Sequence, residues 1–315
     1  MKGKVYRIES NNPYRNLAVE GLLKEKAKAP TLLLWQNEHS VIIGRCQNAW
    51  AEVDIARCEQ DGIHIARRNT GGGAVYHDLG NLNYSFIMPH QVQDVARQTQ
   101  VIVKALKSLG IVSHPSGRND LLVDDRKISG NAYATGENYL HHGTLLVDVD
   151  LERMQRYLTP NSAKLQSKGV SSVRSRVMNL IEVSPYITVD AIGDAIVRQF
   201  SEEYEAGRPS KLPQMPELGE RTLHMASRHW RLNTSPPFET ELERRFDWGL
   251  VQLHLDVKYG TVKAAQLYTD AFDLDLLERL PSLLLERMYG KEMALALEGE
   301  TGHQADDLRS WFEEL

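Results

Sequence analysis

The segment Arg67–Asp78, which reads RRNTGGGAVYHD, constrains this chain more than any other part of it. Glycine has no Cβ, so three consecutive glycines can adopt backbone conformations that other residues avoid and let a ligand sit on their N–H groups. Successive N–H groups of this kind form a concave nest for an anion. Arg67 and Arg68 add charge and forked donors that suit phosphate or carboxylate. We therefore predict an anion-binding loop, with a flexible turn between two strands as the alternative.

The surrounding pattern narrows this prediction. The segment lacks both the Gly-Lys-Ser/Thr ending of a P-loop and the spaced glycines of a dinucleotide fingerprint. Downstream, Leu82, Tyr84 and Phe86 alternate with Asn83 and Ser85, which predicts a half-buried strand. We therefore expect the glycine loop to be held at the start of a strand.

Composition limits the class of protein. The 315 residues suffice for one large domain and one smaller domain. A hydrophobic content of 42% and a charged content of 25% are ordinary for a soluble globular protein. No apolar run approaches the roughly 20 residues that a membrane span needs, and the first residues lack the apolar region of a signal peptide. We expect a cytoplasmic protein that does not associate with membranes.

Charge and cysteine content exclude further classes. The formal net charge of −5 argues against general nucleic-acid binding, which usually requires a basic face. Cys46 and Cys58 are the only cysteines, too few for a disulfide scaffold and without zinc-ligand spacing. We expect both to be reduced structural thiols.

Hydrophobic periodicity predicts the main elements of the first two thirds of the chain. Arg15–Lys28 and Val92–Leu109 have the spacing of helices. Thr31–Trp35 and Val41–Gly44 are short apolar runs, which we expect to form a pair of buried strands. Strands and helices do not alternate regularly, so we predict an α+β fold with a mixed, largely antiparallel sheet.

The composition changes near residue 208. Three prolines in the polar stretch Arg208–Pro216 predict an extended connector. Further on, Val251–Ala264 alternates as two strands around a Lys-Tyr-Gly turn, and apolar helical stretches follow. We therefore divide the chain into a larger domain, residues 1–243 with its connector at 208–243, and a small α+β domain, residues 244–315.

Lys127 is the strongest single candidate for chemistry outside the glycine loop. The stretch Asn119–Gly130 reads as strand, Asp-rich turn and strand, which predicts a β-hairpin. Lys127 would lie on its second strand beside the small residues Ser129 and Gly130, where a substrate can approach the ammonium group. A lysine in this position can pair with a carboxylate and a phosphate together. The alternative is a surface lysine without a function. The polar residues on the paired strand argue against this alternative.

Other polar residues have two interpretations each. Asp120 could hold a cation or orient a nucleotide, and Asn119 and Asn81 could bind a ribose, a base or an amide. For all three a turn or capping role is equally consistent with the sequence.

The histidines and a basic loop are also ambiguous. His77, and the pair His141 and His142 at the expected rim of a strand Gly143–Val149, could be bases or ligands, or could be satisfied by local hydrogen bonds. The stretch Lys168–Val177 is small, polar and basic, so it could order over a phosphate or be a solvated connector.

Four ordered blocks resemble the lipoate-protein ligase A family. They are Arg67–Asn81, Gly117–Leu121, Arg126–Gly130 and His141–Leu145. The similarity continues through Gly44–Trp50, Ser171–Val177 and Phe246–Gly249, so it covers nearly the whole chain.

The resemblance implies a fold and an activity. It implies a catalytic domain like that of class II aminoacyl-tRNA synthetases and biotin-protein ligases, followed by a small accessory domain. It implies a protein that activates lipoate with ATP and Mg²⁺ to lipoyl-AMP, and we expect this protein to be a monomer. The lipoyl group is then transferred to a lysine of lipoyl domains, in 2-oxo acid dehydrogenase acyltransferase subunits and in the glycine cleavage H protein.

The resemblance also assigns residues. Arg68 and the run Gly73, Ala74, Val75 and Tyr76 would hold the nucleotide and the acyl chain. Lys127 would contact both the activated carboxyl group and the phosphate, and the loop Ser171–Arg176 would close over the adenylate. We expect Leu82, Tyr84 and Phe86, or their neighbours, to form the apolar slot for the acyl chain. Supporting roles are expected for Gly71, Gly72, His77, Asn81, Asn119, Asp120, His142 and Arg174.

Two alternatives remain at the level of sequence. An octanoyl or lipoyl transferase of the same fold would need a cysteine shortly before the pair His142-Gly143, and the residues there are Asn138–His141. A transferase variety that lacks the adenylation step and uses preformed lipoyl-AMP would not need this cysteine, but the C-terminal region favours the full two-step ligase. A non-catalytic lipoate or nucleotide sensor is the other possibility, although no DNA-reading segment accompanies it.

Overall fold

The computed structural model describes residues 2–117, 119–158, 177–232, 240–258 and 260–315. Arg118, the loop Ser171–Arg176 and therefore Arg174 lie outside these residues. Within the described ranges, no helix has the length and apolar character needed to span a membrane. The α-helices are α1 (Pro13–Lys26), α2 (Ala49–Glu52), α3 (Ile55–Gln60), α4 (Val95–Ser108), α5 (Leu151–Tyr157), α6 (Val189–Tyr204), α7 (Leu218–Ala226), α8 (Arg228–Leu232), α9 (Leu280–Leu284) and α10 (His303–Glu313).

A seven-stranded sheet forms the centre of the first part of the chain. Its strands are β1 (Lys4–Arg7), β2 (Thr31–Trp35), β6 (Asn81–Pro89), β7 (His114–Ser116), β8 (Asp120–Val123), β9 (Arg126–Ala134) and β10 (Asn138–Leu146). Their order is β1-β2-β6-β10-β9-β8-β7. Among these strands β1 and β2 run parallel, and the other neighbours are antiparallel. The predicted α+β class with a mixed, largely antiparallel sheet is confirmed.

A second, three-stranded sheet contains the strand that leads into the glycine loop. It consists of β3 (Ser40–Ile43), β4 (His64–Arg67) and β5 (Val75–His77), with β3 in the middle. The predicted pairing of Thr31–Trp35 with Val41–Gly44 is therefore wrong, because β2 pairs with β1 and β6 while β3 pairs with β4 and β5. Two successive apolar strands do not fix their own partners, since later segments can pair with each of them.

The large sheet is covered on both faces. Leu82, Tyr84 and Phe86 of β6 belong to the main core with α4 and α6. The opposite face is covered by α1 and by the small sheet, whose residues share a cluster with Trp35 of β2. All nine residues of β6 are consequently buried. The prediction of a half-buried strand is wrong. The alternation suggested an exposed polar face, but α1 and the small sheet cover that face.

A third sheet lies in the C-terminal part of the chain. Its antiparallel strands are β11 (Thr240–Phe246), β12 (Gly249–Lys258) and β13 (Thr261–Thr269), in that order. They share one apolar core with α9 and α10, formed by residues from Leu242 onward. The hairpin predicted over Val251–Ala264 is confirmed as β12 and β13.

Local sequence signals set the ends of several elements. The Asn12 side chain accepts a hydrogen bond from the Arg15 N–H, so α1 begins at Pro13. Asp94 caps α4 in the same way, and this helix starts three residues after the predicted Val92. Asp124 and Asp125 both have positive φ, 47° and 60°. A two-residue turn of this kind closes the β8–β9 hairpin that was predicted from the sequence.

Candidate active site

A cavity of about 150 Å³ lies between the large sheet, the small sheet and α1. It gathers eight residues that the sequence singled out from separate blocks. These are Arg68, Gly73, Ala74, Val75, His77, Asn119, Lys127 and His142. Larger cavities of about 540 and 410 Å³ lie along the contact with the C-terminal part. The smaller cavity is the better candidate for chemistry, because it joins Lys127 to an apolar slot.

A β-bulge orients Lys127 toward this cavity. The register of β8 and β9 shifts so that Leu121 pairs with Ser129 and Leu122 pairs with Lys127. In a regular strand Lys127 and Gly130 would face opposite sides. The extra residue puts them on one side, and a Cβ added at Gly130 would lie only 3.0 Å from the Lys127 Nζ. The small residue at position 130 therefore leaves room for the ammonium group.

The Lys127 ammonium has a carboxylate partner. Its Nζ lies 2.7 Å from Asp120 Oδ1, and both side chains are about one third exposed, 34% and 35%. The Lys127 carbonyl also accepts a hydrogen bond from the N–H of Met178, a residue distant in the sequence. Lys127 is thus fixed at its backbone while its ammonium group stays accessible to a ligand.

The three glycines of the loop have different surroundings. A Cβ at Gly71 would lie 2.2 Å from the Ala271 carbonyl oxygen, and one at Gly72 would lie 2.7 Å from the Phe272 ring. Gly72 also has a φ of +89°, and its N–H donates to the Ala271 carbonyl at 3.0 Å. A Cβ at Gly73 would meet no described atom within 4 Å. The first two glycines therefore pack against the C-terminal part, and Gly73 lines the cavity.

Arg68 is buried beneath the loop. Its guanidinium donates to the carbonyls of Ile42, Gly71 and Gly73 and to Thr70 Oγ1, at distances between 2.6 and 3.2 Å. Burial lowers its pKa to about 10, so it remains charged at neutral pH. The Arg68 charge holds the loop carbonyls together and lies close under the cavity wall.

Arg67 points to the other side. Its donors bind the carbonyls of Gly44, Arg45, Gln47, Trp230 and Arg231, and it lines the cavity of about 540 Å³ instead. The two adjacent arginines, which we expected to serve one anion site, therefore line two different cavities.

His142 belongs to a buried polar chain along the cavity wall. Its Nδ1 donates to Glu20 Oε1 at 2.8 Å, and its Nε2 lies 2.9 Å from Thr70 Oγ1. The Ser85 hydroxyl donates to the same Glu20 oxygen. Thr70 in turn accepts from Arg68. Glu20 of α1 was not predicted, because only the folded chain brings it to β10.

His141 lies on the opposite face of the sheet. Its Nδ1 lies 2.9 Å from Gln98 Oε1, and its Nε2 lies 2.9 Å from Asn131 Oδ1. Burial lowers its pKa to about 3. Both histidines lie within β10, a central strand, so their predicted position at the sheet rim is wrong.

Three further candidates have partners that explain their position. Asn119 donates to the Asn131 carbonyl across the hairpin, although it also lines the cavity. Asn81 donates to Asn83 Oδ1 and does not line the cavity. The Tyr76 ring packs against Tyr157 in a separate core cluster, so only its backbone continues the loop strand.

The apolar slot has other residues than expected. Leu82, Tyr84 and Phe86 do not line the cavity, because their side of β6 faces the main core. Apolar lining comes from Leu17, Trp35, Ile42 and Val75, and from Phe272 of the C-terminal part. These residues belong to five segments that no local pattern connects, so nothing in the sequence marks them as a set.

The two cysteines lie away from this cavity. Burial raises the pKa of Cys46 to about 11 and that of Cys58 to about 12, and neither residue lines the cavity. Both cysteines are free, as predicted. Among the residues with described positions, no group of three or more His, Cys, Asp and Glu side chains could hold a metal ion.

Comparison with known proteins identifies two family models. The model described as lipoyl protein ligase A/B catalytic domain matches residues 12–201. The model described as bacterial lipoate protein ligase C-terminus matches residues 235–300. Among curated relatives, lipoate-protein ligase A of Psychrobacter cryohalolentis is 38% identical over 99% of this chain and 98% of its own.

Solved structures agree with these matches. P. falciparum LipL1 in complex with lipoate has a TM-score of 0.89, 28% identity, and coverage of 99% of this chain and 100% of its own. A structure from Thermoplasma acidophilum, described as a bipartite lipoate protein ligase and its E2 lipoyl domain, has a TM-score of 0.65 and 28% identity, covering 76% of this chain and 100% of its own. A lipoate-protein ligase A bound with ATP has a TM-score of 0.64 and 27% identity, covering 74% and 99%.

Proposed function

The chain belongs to the lipoyl protein ligase A/B family, and from this premise we propose that it is an ATP-dependent lipoate-protein ligase that forms lipoyl-AMP and transfers the lipoyl group to lysine. The observation that carries this proposal is the cavity that joins an apolar slot to the Lys127 ammonium. Lipoate has the same two-part character, with an apolar end and a carboxylate.

The first step brings two anions together. When a carboxylate attacks the α-phosphate of ATP, the site must stabilise both charges and the departing pyrophosphate. We assign this role to Lys127, whose ammonium can contact the carboxyl group and the phosphate at once. Asp120, at 2.7 Å, holds the ammonium in place until the substrates bind.

The loop would bind the adenylate by its backbone. Gly73, Ala74 and Val75 line the cavity, and the open space around Gly73 allows a phosphate to approach. Arg68 is a positioning residue in this proposal, since its guanidinium holds the loop carbonyls and adds positive charge beneath them. For Tyr76 and Asn81 we propose structural roles instead of ligand binding, because Tyr76 packs on Tyr157 and Asn81 donates to Asn83.

Magnesium would arrive with the nucleotide. Mg²⁺ is commonly bound by substrate phosphates with one or two carboxylates rather than by a dedicated protein cage. The described residues fit this mode, because they offer the single carboxylate of Asp120 beside Lys127 and no cage of three ligands. The ion would neutralise charge on the departing pyrophosphate.

The second step requires an acceptor amine and no protein nucleophile. We propose lipoyl domains as the acceptors, those of 2-oxo acid dehydrogenase complexes and of the glycine cleavage H protein, with a cytoplasmic monomer as the active form. The structural work on the Thermoplasma acidophilum bipartite lipoate protein ligase and its E2 lipoyl domain supports this class of partner. We also propose two domains divided near residue 243, just after the start of β11 at Thr240.

The alternative functions have less support. A transferase that works through a thioester needs a reactive thiol in the acyl site, and both cysteines lie away from the cavity with raised pKa values. A sensor would bind lipoate or a nucleotide without turnover. A sensor needs only to bind its ligand, so it would not require a lysine that contacts both the carboxylate and the phosphate.

Two assays test the proposal. We expect ATP–pyrophosphate exchange that depends on lipoate, and a lipoyl mass shift on a purified lipoyl domain when lipoate, ATP and Mg²⁺ are present. A lipoyl domain with its acceptor lysine changed to arginine is the control. Absence of exchange would disprove the ligase, whereas exchange without transfer would indicate a sensor.

A further inference from the structure

The wall of the acyl slot contains two buried donors without acceptors. The Nε2 atom of His77 and the Nδ2 atom of Asn83 have no hydrogen-bond partner among the described residues. The two residues are 3% and 2% exposed, and both line the cavity. Buried polar atoms in folded proteins almost always have a partner. Of the twelve buried side-chain nitrogen and oxygen atoms that lack a partner in the described residues, these two are the ones on residues that line this cavity. A ligand bound there is a candidate source of the missing acceptors.

Neighbouring residues fix His77 as a donor at Nε2. Asn37 Oδ1 accepts a hydrogen bond from Asn16, so the Asn37 amide group donates to His77 Nδ1 at 3.1 Å. Burial, together with the charge of Arg68 and the proximity of His142, lowers the pKa of His77 to about 3. His77 is thus a neutral ring at physiological pH, and its single N–H is the one at Nε2.

The position of Asn83 fits the far end of an acyl chain. The Gly130 N–H donates to Thr144 Oγ1, and Thr144 pairs with Asn83 on the next strand. Lys127 Nζ lies over Gly130, so Asn83 is two strand spacings away, about 10 Å. Asn83 also pairs with Trp35 of β2. A carboxylate held at Lys127 would therefore place the distal atoms of an extended eight-carbon acyl chain near Asn83.

We propose that the His77 and Asn83 N–H groups hydrogen-bond the dithiolane sulfurs of lipoate and so select lipoate over octanoate. This inference rests on the proposed ligase function and adds a specificity-determining pair to it. Divalent sulfur is a weak acceptor, whereas the methyl end of octanoate accepts nothing and leaves both donors unsatisfied. A site built to bind an acceptor discriminates against an analogue that lacks it.

The first test changes the substrate and leaves the protein intact. Pyrophosphate exchange is measured with lipoate, with octanoate and with 5-cyclopentylpentanoate, which keeps the ring shape and lacks sulfur. We expect kcat/KM for the cyclopentyl acid to be about five- to tenfold below that for lipoate. An equal or higher value would overturn the proposal, because a purely apolar slot prefers the carbocycle. If lipoate itself gives no exchange, the ligase function fails instead.

The second test changes the donors. In His77→Phe and Asn83→Leu, the ratio of kcat/KM for lipoate to that for octanoate should fall about five- to tenfold. His77→Gln, which keeps an N–H donor, should restore part of the ratio. Val112→Ala, at an exposed position that does not line the cavity, should leave the ratio unchanged. If the activities with lipoate and with octanoate fall by the same factor in both donor variants, the ratio stays constant. That result would contradict the proposed role of His77 and Asn83.

Discussion

At the scale of single residues, Lys127 carries the largest share of the proposed chemistry. Lys127→Ala removes the ammonium that faces both the carboxylate and the phosphate, so we expect lipoate-dependent pyrophosphate exchange to fall at least about a hundredfold. The circular dichroism spectrum and melting temperature should change little, because the side chain is one third exposed. Lys107→Ala, an exposed lysine of α4, is the control. Near-normal exchange in the Lys127 variant would remove this residue from the mechanism.

Buried histidines predict a pH dependence of stability. The pKa of His141 is lowered to about 3 in the folded state, whereas in the unfolded state it is about 6.5. Below pH 6.5 the unfolded state binds more protons than the folded state, so acid favours unfolding. We expect the free energy of unfolding to be constant with respect to this group above about pH 7 and to fall by about 1.4 kcal/mol per pH unit from pH 6 toward pH 3.

Denaturant titrations at several pH values measure this slope. The variant His141→Gln cannot take up a proton, so its free energy of unfolding should depend on pH less steeply than that of the unchanged protein. His114→Gln, at an exposed position on β7, should retain the full slope. Equal slopes in all three proteins would rule out His141 as a source of acid sensitivity.

The sequence predicted those site residues that lie in short, chemically distinctive blocks. Lys127 was found because a hairpin and two small residues surround it, and Gly73 because three glycines adjoin two arginines. Glu20 and Trp35 were missed because each acquires its role only when α1 and β2 meet β10 and β6 in space. The separate directions of Arg67 and Arg68 also depend on tertiary packing, which residue identity does not reveal.

At the scale of elements, the β8–β9 hairpin connects turn chemistry to the site. Asp124 and Asp125 both hold positive φ values, which aspartate adopts less readily than asparagine or glycine. The double substitution Asp124→Asn with Asp125→Gly should raise the free energy of unfolding by about 0.5–1 kcal/mol without changing exchange activity. Asp125→Ala, which keeps a Cβ at positive φ, should instead lower it. A melting temperature unaffected by either change would argue against this turn type.

The hairpin also shows which features of an element can be predicted from the sequence and which cannot. Its two strands were predicted because the Asp-rich turn and the flanking apolar residues are local signals. The bulge that brings Lys127 and Gly130 to one side was not, since it depends on how β8 and β9 settle their register. The same limit explains β2 and β3, whose apolar character was recognised and whose partners were not.

At the scale of the whole molecule, the glycine loop joins the C-terminal part to the rest. Gly71→Ala would place a Cβ 2.2 Å from the Ala271 carbonyl oxygen, so this contact and the adjoining Gly72 N–H hydrogen bond must break. We expect calorimetry to resolve two unfolding transitions, and limited proteolysis to cut between residues 226 and 249 more readily.

Gly73→Ala is the matched control for this experiment. It adds the same methyl group two residues away, where no described atom lies within 4 Å, so its unfolding profile should match that of the unchanged protein. A single, unshifted transition in Gly71→Ala would show that the loop does not hold the two parts together.

The close approach at Gly71 has a consequence for how the loop varies among sequences. The requirement for glycine at position 71 comes from a carbonyl some two hundred residues further along the chain, at Ala271. Homologous chains that never acquired the third sheet would be free of that requirement. We expect them to tolerate alanine or serine at the first glycine while retaining the last, so that this one position records whether a protein carries a fused C-terminal unit.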